Sequence, residues 1–215
     1  NIVFKAAWLL QEVTKTHHGI DIELRKTIPM GGGLGGGSSN AATTLLALNH
    51  LWQTRLSTKT LAKLGLQLGA DVPVFVEGFA AFATGVGEHL TPIDLPEPWY
   101  VIVMPQVAVA THEIFSHPQL TRNAQPITIA DFLSHGGQNS CEAVASTLYP
   151  EIHEALRWLS QFGNAKMSGT GSAVFASFAT KDQADEVINQ LPTTFKGVVA
   201  KGWNRSPLFA KIDMA

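Results

Sequence analysis

The 215-residue sequence has one cysteine, two tyrosines and only 15% charged residues. A lone Cys141 excludes an intramolecular disulfide and any cysteine-based metal site, and it fits a reducing compartment. Lys and Arg (15) nearly balance Asp and Glu (17), for a net charge of −2, and they form no block. Binding to nucleic acid or an anionic membrane needs a basic footprint, so neither partner is expected. No run of eighteen apolar residues occurs, which excludes an obvious spanning helix. The eight histidines lack metal-ligand spacing: His17 and His18 are adjacent, and His112 and His117 are five apart. They read as solvated loop residues, no protein-held metal is expected, and the setting read from these absences is a soluble, cytoplasmic protein.

What is present is a 45% hydrophobic chain with 19 glycines and 11 prolines, enough apolar surface for one large domain or two small ones. Ile2, Ala6, Leu9, Leu10 and Val13 predict a helix that Gly19 ends. Ile20, Ile22 and Leu24 alternate with Asp21, Glu23 and Arg25, predicting a half-buried strand closed by Pro29. A long helix is expected from about Ser38 through Trp52, and another from Ser57 and Thr60 to Gly69. Strands are expected at 74–76, 80–83, 99–104, 173–178 and 197–201, with a turn at Gly85-Val86-Gly87. Helices are expected from about Cys141, over 151–159 and from Lys181, the last opened by a capping box of Thr180 and Gln183. Pro96 and Pro98 mark a boundary, giving units 1–96 and 97–215. Strands and helices interleave in both, so the expected class is α+β with two packed domains.

Between a predicted strand and a predicted helix lies Gly31-Gly32-Gly33-Leu34-Gly35-Gly36-Gly37. Each glycine costs roughly 0.5–1 kcal/mol of backbone entropy relative to alanine, so such a run implies a conformational need beyond packing. Backbone without Cβ atoms can wrap a ligand closely, and the following helix offers unpaired N–H groups and a positive dipole end. A polyphosphate cradle fits that description. A P-loop would end in Gly-Lys-[Ser/Thr], whereas Gly37 is followed by Ser38. The dinucleotide fingerprint is matched at Gly31, Gly33 and Gly36, but it wants an acidic residue about twenty positions later. None occurs from Leu24 to Ala70, while Arg25, Lys26, Arg55, Lys59 and Lys63 do. A field without carboxylates suits a triphosphate. A flexible linker is the plainer alternative. Asp71 ends the acid-free interval; beside Gly69 and Pro73 it reads as a turn former or cap.

The stretch Pro29-Met30-Gly31-Gly32-Gly33-Leu34-Gly35-Gly36-Gly37-Ser38-Ser39-Asn40-Ala41-Ala42 resembles the phosphate-binding motif of the GHMP kinases. Its Gly-Gly-Gly-Ser-Ser-Asn-Ala form is similar to the branch acting on diphosphocytidyl-methylerythritol in non-mevalonate isoprenoid synthesis. The resemblance implies ATP as phosphoryl donor, with Mg²⁺ arriving on the nucleotide and Ser39 as one contact. It also implies a ribosomal protein S5 domain 2-like N-terminal domain and a ferredoxin-like C-terminal domain. Residues 29–40 would contact the nucleotide phosphates, with Lys26 near the base and ribose. Gly69-Ala70-Asp71-Val72-Pro73-Val74-Phe75 is similar to the family's catalytic-base segment, which would make Asp71 the acceptor of the substrate hydroxyl's proton.

Met167-Ser168-Gly169-Thr170-Gly171-Ser172 resembles the third motif of the same family, which makes Gly169, Thr170 and Gly171 substrate-cleft candidates. Val86, Thr111 and Phe115 are further candidates for the wall of the diphosphocytidyl-methylerythritol pocket; tight turns and ordinary packing would account for them equally well. The sequence opens at Asn1-Ile2-Val3-Phe4, directly in a helical pattern, and the expectation is that a front segment is missing. By the resemblance, that segment carries a lysine paired with the catalytic aspartate, a Tyr-His pair for the cytosine, and strands that pair with 20–26. The expected partner is a small molecule and the expected assembly a monomer or homodimer, in a bacterial cytoplasm. A homoserine- or mevalonate-type kinase, or a non-catalytic sensor of the same fold, is the alternative.

Overall fold

The computed structural model describes residues 1–212. In chain order the elements are α1 (Ile2–Thr14), α2 (Gly36–Leu51), α3 (Thr58–Leu68), α4 (Val72–Glu77), β1 (Ala81–Thr84), β2 (His89–Pro92), β3 (Trp99–Met104), α5 (Thr111–Ser116), α6 (Ile129–His135), α7 (Ser140–Leu148), α8 (Pro150–Leu159), β4 (Lys166–Met167), β5 (Val174–Phe178), α9 (Lys181–Ile188), β6 (Lys196–Lys201) and α10 (Pro207–Ile212). They form two compact units. Among the described residues, one comprises Asn1–Lys26, Gly35–Leu95 and 203–212; the other comprises Thr27–Leu34 and Pro96–Gly202. The mixed helix-and-sheet content is the α+β class expected. No helix among the described residues is long and apolar enough to cross a membrane.

The first unit is built round α2. Ala41, Ala42, Leu45, Leu46 and Leu48 are buried, so this helix is covered on more than one side. Ala6 and Leu10 of α1, Leu61 and Leu64 of α3, and Val72 and Val76 of α4 complete the same core. Leu10, Leu45 and Leu61 are fully enclosed, each contributing about 1.5–3 kcal/mol by leaving water. Asn1 caps α1 by accepting from the amide of Val3. The helix ends at Lys15 in a left-handed turn, short of Gly19.

Two expectations fail in this unit. Residues 20–26 form no strand and are largely exposed. Alternation alone does not make a strand: the backbone needs a neighbour to hydrogen-bond, and none pairs here among the described residues. Residues 74–76 are helical, inside α4. Pro73 occupies the first turn, where its missing N–H is harmless, and Gly78 closes the helix in a left-handed conformation. The expected strand at 80–83 is β1, which pairs with β2 across the turn Gly85–Gly87.

The second unit holds an antiparallel sheet in the order β4-β5-β3-β6. Val101 stands opposite Ala176 and Val103 opposite Val174, so these four share one face, and all are fully buried. Ile152, Ala155 and Leu159 of α8 and Ala184 and Val187 of α9 cover that face. Tyr149 precedes α8, with Pro150 in its first turn. The capping box opening α9 has both of its bonds, Gln183 N–H to Thr180 and the return from the Thr180 amide to Gln183.

Candidate active site

The glycine run straddles the division of the chain, which falls between Leu34 and Gly35. In the first unit, Gly35 stands at the N-cap of α2 without a side-chain cap bond, and Ser39 is the first amide to find an intrahelical acceptor, Gly35 O at 2.8 Å. The amides of Gly36, Gly37 and Ser38 therefore have no acceptor within the helix, and no acidic side chain stands in the first turn. These are the conditions under which a helix start receives an anion. Ser38, Ser39 and Asn40 lie in the opening turns of α2, all half-buried.

Packing explains part of the glycine run, contrary to the expectation. Gly33 has φ +68°, and a Cβ there would lie 2.2 Å from the carbonyl oxygen of Ser168. A Cβ on Gly35 would strike the ring of Phe75 at 2.8 Å. Gly37 differs, since a Cβ there would meet nothing within 4 Å. Gly37 thus has no neighbour demanding its small size.

Asp71 lies in the same unit, at the N-cap position of α4, yet its side chain makes no cap hydrogen bond. Its carboxylate is exposed and makes no hydrogen bond or ion pair with the described residues. The turn that carries it rests on the start of α2: a Cβ on Gly69 would sit 4.0 Å from Ser38 Oγ. On its other side stands the hairpin turn with Val86, because a Cβ on Gly87 would lie 3.1 Å from the carbonyl oxygen of Ala70. Val86 itself is 72% exposed. Its amide donates to Glu88 Oε2 at 2.7 Å, and the Glu88 carboxyl is held below its ordinary value by its own amide and, to a lesser degree, by those of Val86 and Gly87. Ser38, Asp71 and Val86 are thus brought to neighbouring turns of one unit.

In the second unit, Thr111 and Thr170 meet, their hydroxyls 3.1 Å apart. Phe115 is 56% exposed, one position beyond the fully buried Ile114 that docks α5. The carbonyl of Phe115 in the last turn of α5 and those of His117 and Leu120 just beyond it accept from Arg122. The Tyr149 hydroxyl donates to Glu113 on the same helix, which raises the phenol above its ordinary value. Gly169, Thr170 and Gly171 form the turn before β5, and this turn lies against Gly31, Gly32 and Gly33. Pro29 and Met30 are exposed at the entry to the run, with Leu34 half-buried at its middle. Lys26 is an exposed residue of an irregular segment, not the end of a strand. Among the described residues no three His, Cys, Asp or Glu side chains are grouped to hold a metal.

Of the residues that shape these turns, Asn139 is not marked by the sequence at all, and Phe75 and Ser168 stand in the quoted motifs without a role of their own. Phe75 fixes Gly35; Ser168 and Asn139 hold the turn at 167–171. Their partners lie 28 to 135 positions away in the chain, and no local pattern marks such a pairing.

The chain is similar to known proteins over most of its length. Residues 1–79 match the family model for the GHMP kinase N-terminal domain, and residues 120–197 match that for the GHMP kinase C-terminal region. A 4-diphosphocytidyl-2-C-methyl-D-erythritol kinase of Nitrosococcus oceani is 56% identical over 208 residues, spanning 97% of this chain and 74% of the relative. One from Shewanella loihica is 51% identical over 212 residues, spanning 99% of this chain and 75% of the relative. A crystal structure of 4-(cytidine 5'-diphospho)-2C-methyl-D-erythritol kinase superposes with a TM-score of 0.81 at 34% identity, covering 94% of this chain and 78% of that one. A homoserine kinase from Cytophaga hutchinsonii shares the fold at a TM-score of 0.68 and 17% identity, covering 96% and 76%.

Proposed function

The chain belongs to the GHMP kinases, within them to the family of the 4-diphosphocytidyl-2-C-methyl-D-erythritol kinases, and we propose that it transfers the γ-phosphoryl group of ATP to the 2-hydroxyl of that diphosphocytidyl alcohol. The reaction is a step of non-mevalonate isoprenoid synthesis, and we place it in the bacterial cytoplasm. Residues 1–96 are read as the nucleotide-binding domain and 97–215 as its C-terminal companion.

The observation that carries this reading is Asp71. An N-cap carboxylate on extended backbone accepts a backbone N–H and contributes about 1 kcal/mol by doing so; Asp71 has helical backbone instead, φ −84° and ψ −11°, which turns its carboxylate away from the helix amides. It leaves the cap unmade and stays exposed, on a turn whose Gly69 borders Ser38 at the uncapped start of α2. A base available to solvent beside an anion-receiving helix end is what phosphoryl transfer to an alcohol asks for. In that role Asp71 takes the hydroxyl proton as the substrate oxygen bonds to the γ-phosphorus, and the bond to the β–γ bridging oxygen breaks to release ADP. Positioning and charge neutralisation supply most of the acceleration.

The amides of Gly36, Gly37 and Ser38 receive phosphate oxygens, with Pro29 to Leu34, Gly35 and Asn40 completing the cradle and Lys26 near the base and ribose. Mg²⁺ is carried by the nucleotide, which makes a dedicated protein cage unnecessary. It neutralises phosphate charge when bound, and the Ser39 hydroxyl is its proposed protein contact. Val86, Thr111, Phe115, Gly169, Thr170 and Gly171 contact the diphosphocytidyl substrate. The test is a phosphorylation assay of the intact protein with ATP against 4-diphosphocytidyl-2-C-methyl-D-erythritol, homoserine and mevalonate. Turnover of the first alone is expected; turnover of either other substrate, with none of the first, would overturn the assignment.

A further inference from the structure

Around the turn at 167–173 the hydrogen bonds run in two tiers, all within the second unit. On one side, the carbonyl oxygens of Gly31, Gly32 and Gly33 accept from Ser172 N (3.2 Å), Ala173 N (3.0 Å) and Ser168 Oγ (2.7 Å). On the other side, the start of α7 grips the same turn. Asn139 Nδ2 donates to the carbonyls of Met167 (3.0 Å) and Gly169 (2.7 Å), and Glu142 Oε2 accepts from the amide of Met167 (2.8 Å). The Asn139 carboxamide cannot rotate freely, because its Oδ1 accepts the amide of Cys141 at 3.0 Å as the cap of α7. Its two donors are thereby aimed at the turn.

This arrangement governs an electrostatic choice. A carbonyl oxygen facing a polyphosphate repels it, whereas an amide attracts it. Three consecutive glycine carbonyls are tied to the 168–173 segment, so their dipoles are committed there. If that segment shifted, Gly31, Gly32 and Gly33 would lose their acceptor duties together, and glycine backbone has little stiffness of its own to hold the conformation. We propose that Asn139 and Glu142 are positioning residues for ATP binding, acting on the phosphate loop through the 167–173 turn. This rests on reading Gly31–Gly33 as part of the nucleotide cradle.

The test is made in the intact enzyme, by steady-state kinetics in both substrates and by calorimetric titration with ATP, with thermal melting as a control. Asn139→Asp keeps the cap on α7 but turns a carboxylate toward two carbonyls, and it should raise the KM for ATP about tenfold while leaving the KM for the alcohol within about twofold. Glu142→Ala should move the ATP KM in the same direction, and Glu142→Gln, which retains an acceptor for Met167 N–H, should restore it. Asn139→Asp combined with Ser168→Ala should cost no more than the worse single change, because both act through one turn. An unchanged ATP KM in Asn139→Asp and Glu142→Ala would overturn the proposal, as would an equal rise in both KM values. Should Asn139→Asp not fold, the pair Glu142→Ala and Glu142→Gln decides, and a wild-type ATP KM in Glu142→Ala overturns it. The two readings fail separately: these shifts in ATP affinity alongside phosphorylation of a different alcohol would keep the brace and remove the substrate assignment.

Discussion

The ring of Phe209 fills the space that a side chain on Gly78 would need, a Cβ there lying 2.0 Å from the ring edge. Gly78 ends α4 at φ +68°, which L residues adopt only at a cost. Gly78→Ala therefore combines backbone strain with overpacking against α10 and should destabilise the protein by about 2–4 kcal/mol. Chemical denaturation of wild type and mutant checks this. Gly78→Ala together with Phe209→Ala should recover part of the loss, since the clash is removed and the strain is not.

Asp71→Asn should lower turnover about a hundredfold or more while ATP binds nearly as before. The amide preserves shape but is a far poorer proton acceptor. Because the Asp71 side chain makes no cap bond, the exchange should leave the melting temperature unchanged. Wild-type turnover in the mutant would remove Asp71 from the mechanism.

The glycine run separates into two behaviours. Gly33→Ala and Gly35→Ala meet protein atoms and should lower both stability and ATP affinity. Gly37→Ala, in open space inside a helix, should hold or raise stability by up to about 1 kcal/mol through helix propensity. It should nevertheless weaken ATP binding, because a methyl group would stand where phosphate approaches. Thermal melts with and without ATP distinguish these cases; an unaffected ATP shift in Gly37→Ala would tell against a phosphate beside that residue.

An acid-side effect follows from α6. The Asp131 carboxyl is held below its ordinary value of 3.8 by the hydroxyl and amide of Thr128. A depressed folded-state value means that the ionised form is favoured by folding. Its stabilisation is complete above the unfolded value, near 3.8, and is lost as pH falls through the lower folded value. Asp131→Asn should accordingly flatten the pH dependence of α6 protection in hydrogen exchange below about pH 4. A parallel dependence in mutant and wild type would exclude this capping box as its source.

Local signals in the sequence were good guides where the cause was local. Thr180 with Gln183, and Ser57 with Gly69, mark helix ends because capping is decided within four residues. The same signal at Thr128 and Asp131 was open to reading and identifies α6. The apolar stretch at 72–76 is too short for periodicity to separate strand from helix, and Pro73 tips it to helix. Residues 20–26 carry a strand's alternation without a described partner, and a strand is a property of a pair. At the candidate site, the glycine run, Asp71 and the turn at 168–171 were legible from residue type. The ties that set their shapes were not, because Ser168 with Gly33 and Asn139 with Gly169 are remote in the chain.

Neither compact unit is one contiguous length of chain, and this limits how the molecule can be cut. A fragment beginning after Pro96 would leave behind residues 27–34, stripping the amides of Ser172 and Ala173 of the glycine carbonyls that accept from them. It would also carry away Asn204, whose side chain both accepts from and donates to the backbone of Leu95, and with it the ring of Phe209 that backs Gly78. The gene offers a proline-marked seam, but the hydrogen bonds stitch across it. Halves of this protein are therefore better obtained by circular permutation or by co-expressing overlapping pieces than by dividing the reading frame at residue 96.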